Sequence, residues 1–274
     1  MFNQSLRNNN ISTTINHGPI GYCIYCGSTE TDLSREHIVP LSLGGNHVLG
    51  NASCRDCAKI TQQFEQFCAR TIMGPFRVRT GAPTRNPEQR PSELPLGLID
   101  SDGTKREIEI PADKHPATLM LPVFAKPRLL LALNEQRRES FIMWLALPDN
   151  EVFNLAKEHN SSSFKLGSFE ILNYCRLLAK IAHAAAFLDP NWKNVFEPLL
   201  PDLILGKTKV YDDIVGGIDQ VKNEPEDANF PIFFESVDVN DQRYLVAQFR
   251  LFANQGSPNY RVVVARMKKK KVNS

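Results

Sequence analysis

The sequence predicts an α+β protein: a small metal-stapled module near the N-terminus, followed by a larger domain of mixed helix and strand. Three observations predict it. Four of the six cysteines fall into two C-x-x-C pairs, Cys23/Cys26 and Cys54/Cys57. Helical periodicity is concentrated in two stretches, one directly after the second cysteine pair and one from Ser168 to Leu188. The C-terminal residues break into short β-branched and aromatic runs.

Composition bounds the class. The chain has 274 residues, enough for one large domain or two smaller ones, and its 42% hydrophobic and 23% charged content is that of an ordinary globular protein. A formal charge of +2 is too small to indicate nucleic-acid binding by itself. No run approaches the roughly 18–20 apolar residues of a membrane span. Cysteine pairs in so cysteine-poor a chain point to metal in a reducing compartment, so a cytoplasmic location is expected.

Residues 1–20 are polar and Asn-rich and lack the basic-then-apolar order of a secretory signal; they are expected to be a flexible lead-in. The module is expected over 21–80. After the second cysteine pair, Ile60, Phe64, Phe67, Cys68 and Thr71 recur at helical spacing, and the helix is expected to stop near Gly74-Pro75, because proline disfavours helix at the preceding residue. Residues 81–97, with several prolines and almost no apolar run, are expected to be a linker.

The α+β domain is expected over 98–274. GLIDSDGTKREIEI predicts a hairpin turning at Asp102-Gly103. TLMLPVF and RLLLAL are short strands or buried segments. The stretch Ser168–Leu188 predicts a helix with Ile171, Tyr174, Cys175, Leu178, Ala182 and Ala185 on one face. FPIFFESVDV, RYLVAQFRLFA and YRVVVARM predict three strands.

The two cysteine pairs present four thiolates, the donor set of a tetrahedral structural zinc. Two reduced buried pairs, or a redox C-x-x-C, are the alternatives; the redox reading wants a βαβ unit, which is absent. The insert between the pairs reads Ser34-Arg35-Glu36-His37-Ile38-Val39-Pro40-Leu41-Ser42-Leu43-Gly44-Gly45, then Asn51-Ala52-Ser53-Cys54. With the flanking cysteines this resembles the HNH endonuclease family over about residues 21–70. The resemblance implies a ββα-metal fold and metal-dependent hydrolysis of phosphodiester bonds in DNA. It implies Glu36 as a metal ligand, His37 as the base that activates water, and Asn51 as the residue that holds the loop and orients the histidine. The implied cofactors are structural zinc and a catalytic divalent cation, magnesium, manganese or nickel.

One position departs from the pattern. The family usually has Asn or His directly after the last cysteine as a second ligand for the catalytic metal, and here that residue is Ala58. Thr61, Gln62 or Glu65, on the same helix face, can take over. Glu65 lies about 10 Å further along the helix, so its expected assistance to the cofactor is indirect. His47 is another candidate, and a site built from Glu36, phosphate and waters alone is chemically possible. The rival expectation is a non-catalytic zinc-stabilised module that binds nucleic acid or protein.

Local charge favours a nucleic-acid partner. Arg55, Lys59, Arg70, Arg77, Arg79, Arg85 and Arg90 outnumber Asp56, Glu65 and Glu88 in that stretch, as a phosphate-lining arm would. The tail Lys268–Lys271 is expected to solubilise the terminus. Gly206-Lys207-Thr208 lacks the earlier glycine of a phosphate loop. Cys68, Cys175 and His183 are expected to pack in the core, and His17, His115 and His159 carry no partner pattern. Nothing in the sequence discloses an oligomeric state.

Overall fold

The structure, a computed structural model, describes residues 14–29, 32–84, 86–136, 142–146, 151–165, 169–218 and 232–268. It is α+β, with 29% of the described residues in helix and 32% in strand. Strand β1 (Ile15–Pro19) runs parallel to β3 (His47–Ser53), and β2 (Ser34–His37) pairs antiparallel on the other side of β3. Cys54 caps helix α1 (Arg55–Phe67), so β2, β3 and α1 form the expected ββα unit.

α1 continues through a wide helical turn, Cys68–Ile72, before a second short helix, α2 (Gly74–Arg79). The expected stop at Gly74-Pro75 is therefore also a start. Proline's missing N–H costs nothing in a first helical turn, where that donor has no partner anyway.

The hairpin at Asp102-Gly103 forms between β4 (Glu93–Ile99) and β5 (Lys105–Pro111), with Gly103 at φ +84°. β4 takes in the end of the proline-rich stretch 81–97. Leu94, Leu96 and Leu98 alternate inward along it, an unbroken period-two signal with Pro95 at an outward position. β6 (Leu119–Val123) pairs with β7 (Ile142–Ala146), and α3 (Glu151–Glu158) leads to β8 (Ser163–Phe164) beside β4.

Helix α4 (Ile171–Ala186) is followed by α5 (Trp192–Val195), β9 (Phe196–Pro198), α6 (Pro201–Ile204) and β10 (Val215–Gly217). The three strands expected near the end are β11 (Ile232–Val239), β12 (Gln242–Arg250) and β13 (Asn259–Met267). They form the sheet β10-β13-β12-β11, with β9 on β13. Among the described residues no helix is long and apolar enough to cross a membrane.

One buried core runs from Cys23 and Phe64 in the module through α4 to Val262 and Ala265 in the last sheet. α4 is the hinge of this packing. From Leu177 to Ala186 every residue is buried, including Lys180 and His183. A helix buried all round must satisfy both neighbours. Here one is the ββα unit and the other the C-terminal sheet.

Candidate active site and metal centre

The four cysteines converge. Cys23 and Cys26 lie in a tight turn before β2, Cys54 caps α1, and Cys57 sits in its first turn. Their sulfurs all lie within 4.8 Å of one another, and Cys26 Sγ is 3.7 Å from Cys54 Sγ. A tetrahedron with metal–sulfur bonds of about 2.3 Å has edges of about 3.8 Å, so this spacing suits zinc and is far too long for a disulfide. The knuckle is tied to β3, since Gly21 N–H donates to Asn51 O (3.1 Å) and Ile24 N–H to Ala52 O (2.8 Å).

Glu36 and His37 end β2, opposite Leu49 and Val48. Adjacent strand residues face opposite ways. Glu36 is buried on the side of α1 and α4, whereas His37 is half-buried. The chain leaves β2 through Pro40 into the turn Leu41–Leu43 and Gly44-Gly45. Gly44 needs its left-handed φ of +96°, and a Cβ at Gly45 would sit 2.0 Å from Val39 O. Both glycines thus fix the loop that follows the histidine.

The partner of Glu36 is a residue the sequence reading passed over. Lys180, fully buried on α4, places Nζ 2.7 Å from Glu36 Oε1 and 2.9 Å from Glu65 Oε1. Nζ also donates to the backbone oxygen of His37 and, at 3.4 Å, to that of Ile38. Burial pulls the Lys180 pKa down, but Glu36 and then Glu65 outweigh it and hold the ammonium charged. Burial raises Glu36; Lys180 only partly offsets this, and Glu65 adds to the rise.

Glu36 and Glu65 were expected beside a divalent cation, with Glu65 acting at a distance. They are instead joined by this ammonium. The residues present do not fit a divalent cation between the two carboxylates, because Nζ already fills the gap. A second cation beside it would be repelled where little water screens. Of the other replacements weighed for Ala58, Thr61 is buried and turns its hydroxyl to Ala58 O (3.1 Å), and Gln62 is exposed on α1. His47 stacks on His17, Nδ1 to Nε2 at 2.8 Å.

Asn51 lies on β3, the strand that pairs with the end of β2. It stands three residues along β3 from Val48, roughly 10 Å at strand rise. At φ +46° it takes a left-handed conformation that asparagine tolerates, and its carbonyl anchors Gly21. Its place is in holding the zinc knuckle to β3.

The basic stretch divides in two. Arg77 donates to Ser42 O, Ala69 O and Pro83 O, and Arg90 to Val78 O and Ala82 O; Arg79 donates to His115 O. These arginines staple backbone. Arg55, Lys59 and Arg70 are exposed. Arg85 and Lys269–Lys271 lie outside the described residues. Cys68, Cys175 and His183 are buried, as expected of core residues.

Residues 23–71 match the family model described as HNH endonuclease. This segment is an HNH-family module. No curated protein and no solved structure matches the chain. Lys180 lies far outside the matched segment. Its only sequence signal is a charge set in the apolar run LLAKIAHAAAF.

Proposed function

We propose that the chain is an HNH-type endonuclease that hydrolyses phosphodiester bonds of DNA, with His37 as the base. The observation that carries this is the setting of His37. Its backbone is clamped from inside by Lys180, at the end of a strand fixed by the cysteine cluster and the Gly44-Gly45 turn, while its side chain stays half-buried rather than sealed. A base held in one place near the surface can meet a phosphate that never enters the core. Water adds to phosphorus and gives its proton to the imidazole, the bond to the leaving oxygen breaks, and that oxygen takes a proton from solvent water. Exposed Arg55, Lys59 and Arg70 supply sequence-independent contacts to phosphates. Zinc in the four-cysteine cluster is structural, since all four positions are taken by protein sulfurs.

The test is nicking of supercoiled plasmid with magnesium, manganese or nickel, and an EDTA control. Wild type is expected to nick, and His37→Ala to lose nicking by on the order of 100-fold or more with zinc content unchanged. Undiminished cleavage by His37→Ala would remove the histidine from its role. A second reading, a non-catalytic zinc module that binds nucleic acid, is favoured by Ala58 and by the occupation of Glu36 and Glu65 by Lys180. Binding of DNA without nicking under all three metals supports that reading.

A further inference from the structure

We infer that Lys180 is the resident cation of the module, an ammonium supplied by the C-terminal region that closes the Glu36/Glu65 pair to divalent metal ions. This rests on the HNH reading for the identity of the pair, and on the geometry for its occupant.

Three observations converge. Two carboxylates from different elements, β2 and α1, point at one nitrogen at 2.7 and 2.9 Å. That nitrogen is fully buried, and it also takes the backbone oxygens of His37 and Ile38. The ammonium's three N–H donors thus face four oxygens, all of them on the module, with the charge of Nζ lying between the two carboxylates. Moreover, Lys180 does not reach the site alone. Arg176 lies over the Phe64 ring (4.7 Å) while its N–H groups hold Ile204 O on α6, and His183 Nε2 bonds Ile24 O (2.8 Å) within the first zinc knuckle. Residues 176, 180 and 183 follow helical spacing, so α4 docks on the module along one polar stripe centred on Lys180.

The consequence is a trade between lysine and metal. Taking away the ammonium while keeping the carboxylates leaves a buried, doubly acidic pocket with two backbone oxygens, which is a hard-cation site. The experiment is manganese titration of the zinc-loaded full chain, followed by electron paramagnetic resonance. Wild type and Glu36→Gln are expected to bind manganese alike, because Glu36 is not available to it. Lys180→Met is expected to gain one manganese site, tighter by about tenfold or more than anything in wild type, that disappears in Lys180→Met/Glu36→Gln. Binding by wild type that Glu36→Gln abolishes would overturn the inference. So would a folded Lys180→Met, with normal zinc content, that gains no site. If Lys180→Met does not fold, the comparison of wild type with Glu36→Gln decides alone. None of these readings uses cleavage, so a protein that fails to nick DNA leaves the inference standing, and one that nicks does not prove it.

Discussion

Helix α4 has two opposite faces, and they are built on different physics. At 100° per residue, Tyr174, Leu178, Ile181 and Ala185 form one stripe, and Arg176, Lys180, His183 and Phe187 form another about 180° away. The first stripe turns to the C-terminal sheet, where the Tyr174 and Tyr260 hydroxyls meet at 2.8 Å. The second turns to the HNH module and meets it with charge and hydrogen bonds from Lys180 and His183, set among ring contacts of Arg176 on Phe64 and Phe187 on Tyr22. An apolar face is forgiving, because loss of a contact costs surface and packing. A buried polar face is not, since each lost partner leaves another group stranded. The module is therefore attached through contacts that depend on one another.

The largest expected effect tests that dependence. Lys180→Met leaves Glu36 and Glu65 facing each other with no counter-charge and is expected to cost about 3–5 kcal/mol in urea unfolding. Neutralising the carboxylates as well, in Lys180→Met/Glu36→Gln/Glu65→Gln, is expected to recover much of that loss, because the whole charged group has then been replaced. On the opposite face no such recovery exists: Leu178→Ala loses packing that no second polar change restores. If the triple variant is no more stable than Lys180→Met, the two faces do not differ in kind.

The difference between the faces also explains what was legible in the sequence. The cysteine pairs, Glu36-His37 and the two glycines lie within a few dozen residues, and their order alone pointed to the ββα unit and the zinc cluster. The apolar stripe of α4 was visible as periodicity. The polar stripe was not, because its partners lie far off in the chain: Lys180 is 143 residues from His37, and His183 is 159 from Ile24. A lysine on a helix is read as solvated unless something shows that every side is covered. Proline hid β4 for a local reason: the inward alternation of Leu94, Leu96 and Leu98 carries Pro95 at an outward position and begins inside a stretch that otherwise reads as linker. Asn51 was read by its place in a motif as a loop-holding residue, and its backbone, at positive φ against Gly21, does tie down the knuckle that precedes β2.

A smaller effect separates the faces by pH. Burial lowers the pKa of His183 from 6.5 to about 4, only partly opposed by its bond to Ile24 O and aided by nearby Lys193; Tyr25 stacks on the same ring. The unfolded chain therefore binds a proton between these values that the folded chain does not. Stability contributed by neutral His183 is present in full above about pH 6.5 and is lost as pH falls towards 4, by about 3 kcal/mol. Urea midpoints measured across that range for wild type and His183→Gln, at equal zinc loading, should show a steeper acid decline in wild type. Glu36, raised by burial, acts with the opposite sign in both proteins and cancels in the comparison. Parallel curves would mean that His183 titrates normally and that the polar stripe is open to water.

The smallest effect probes the single polar link on the apolar face. Tyr174 donates to Tyr260, and Tyr260 has a further acceptor in Pro122 O at 3.2 Å. Tyr174→Phe removes a donor whose partner keeps its own bond, so the expected cost is about 1 kcal/mol. Tyr260→Phe removes the acceptor instead and strands the buried Tyr174 hydroxyl, for about 1–3 kcal/mol. The asymmetry between two single-oxygen deletions in the same contact, read from urea midpoints, carries the argument made for Lys180 down to one hydrogen bond. Equal losses, or a larger loss from Tyr174→Phe, would show that stranding a polar group is not what sets the cost along this helix.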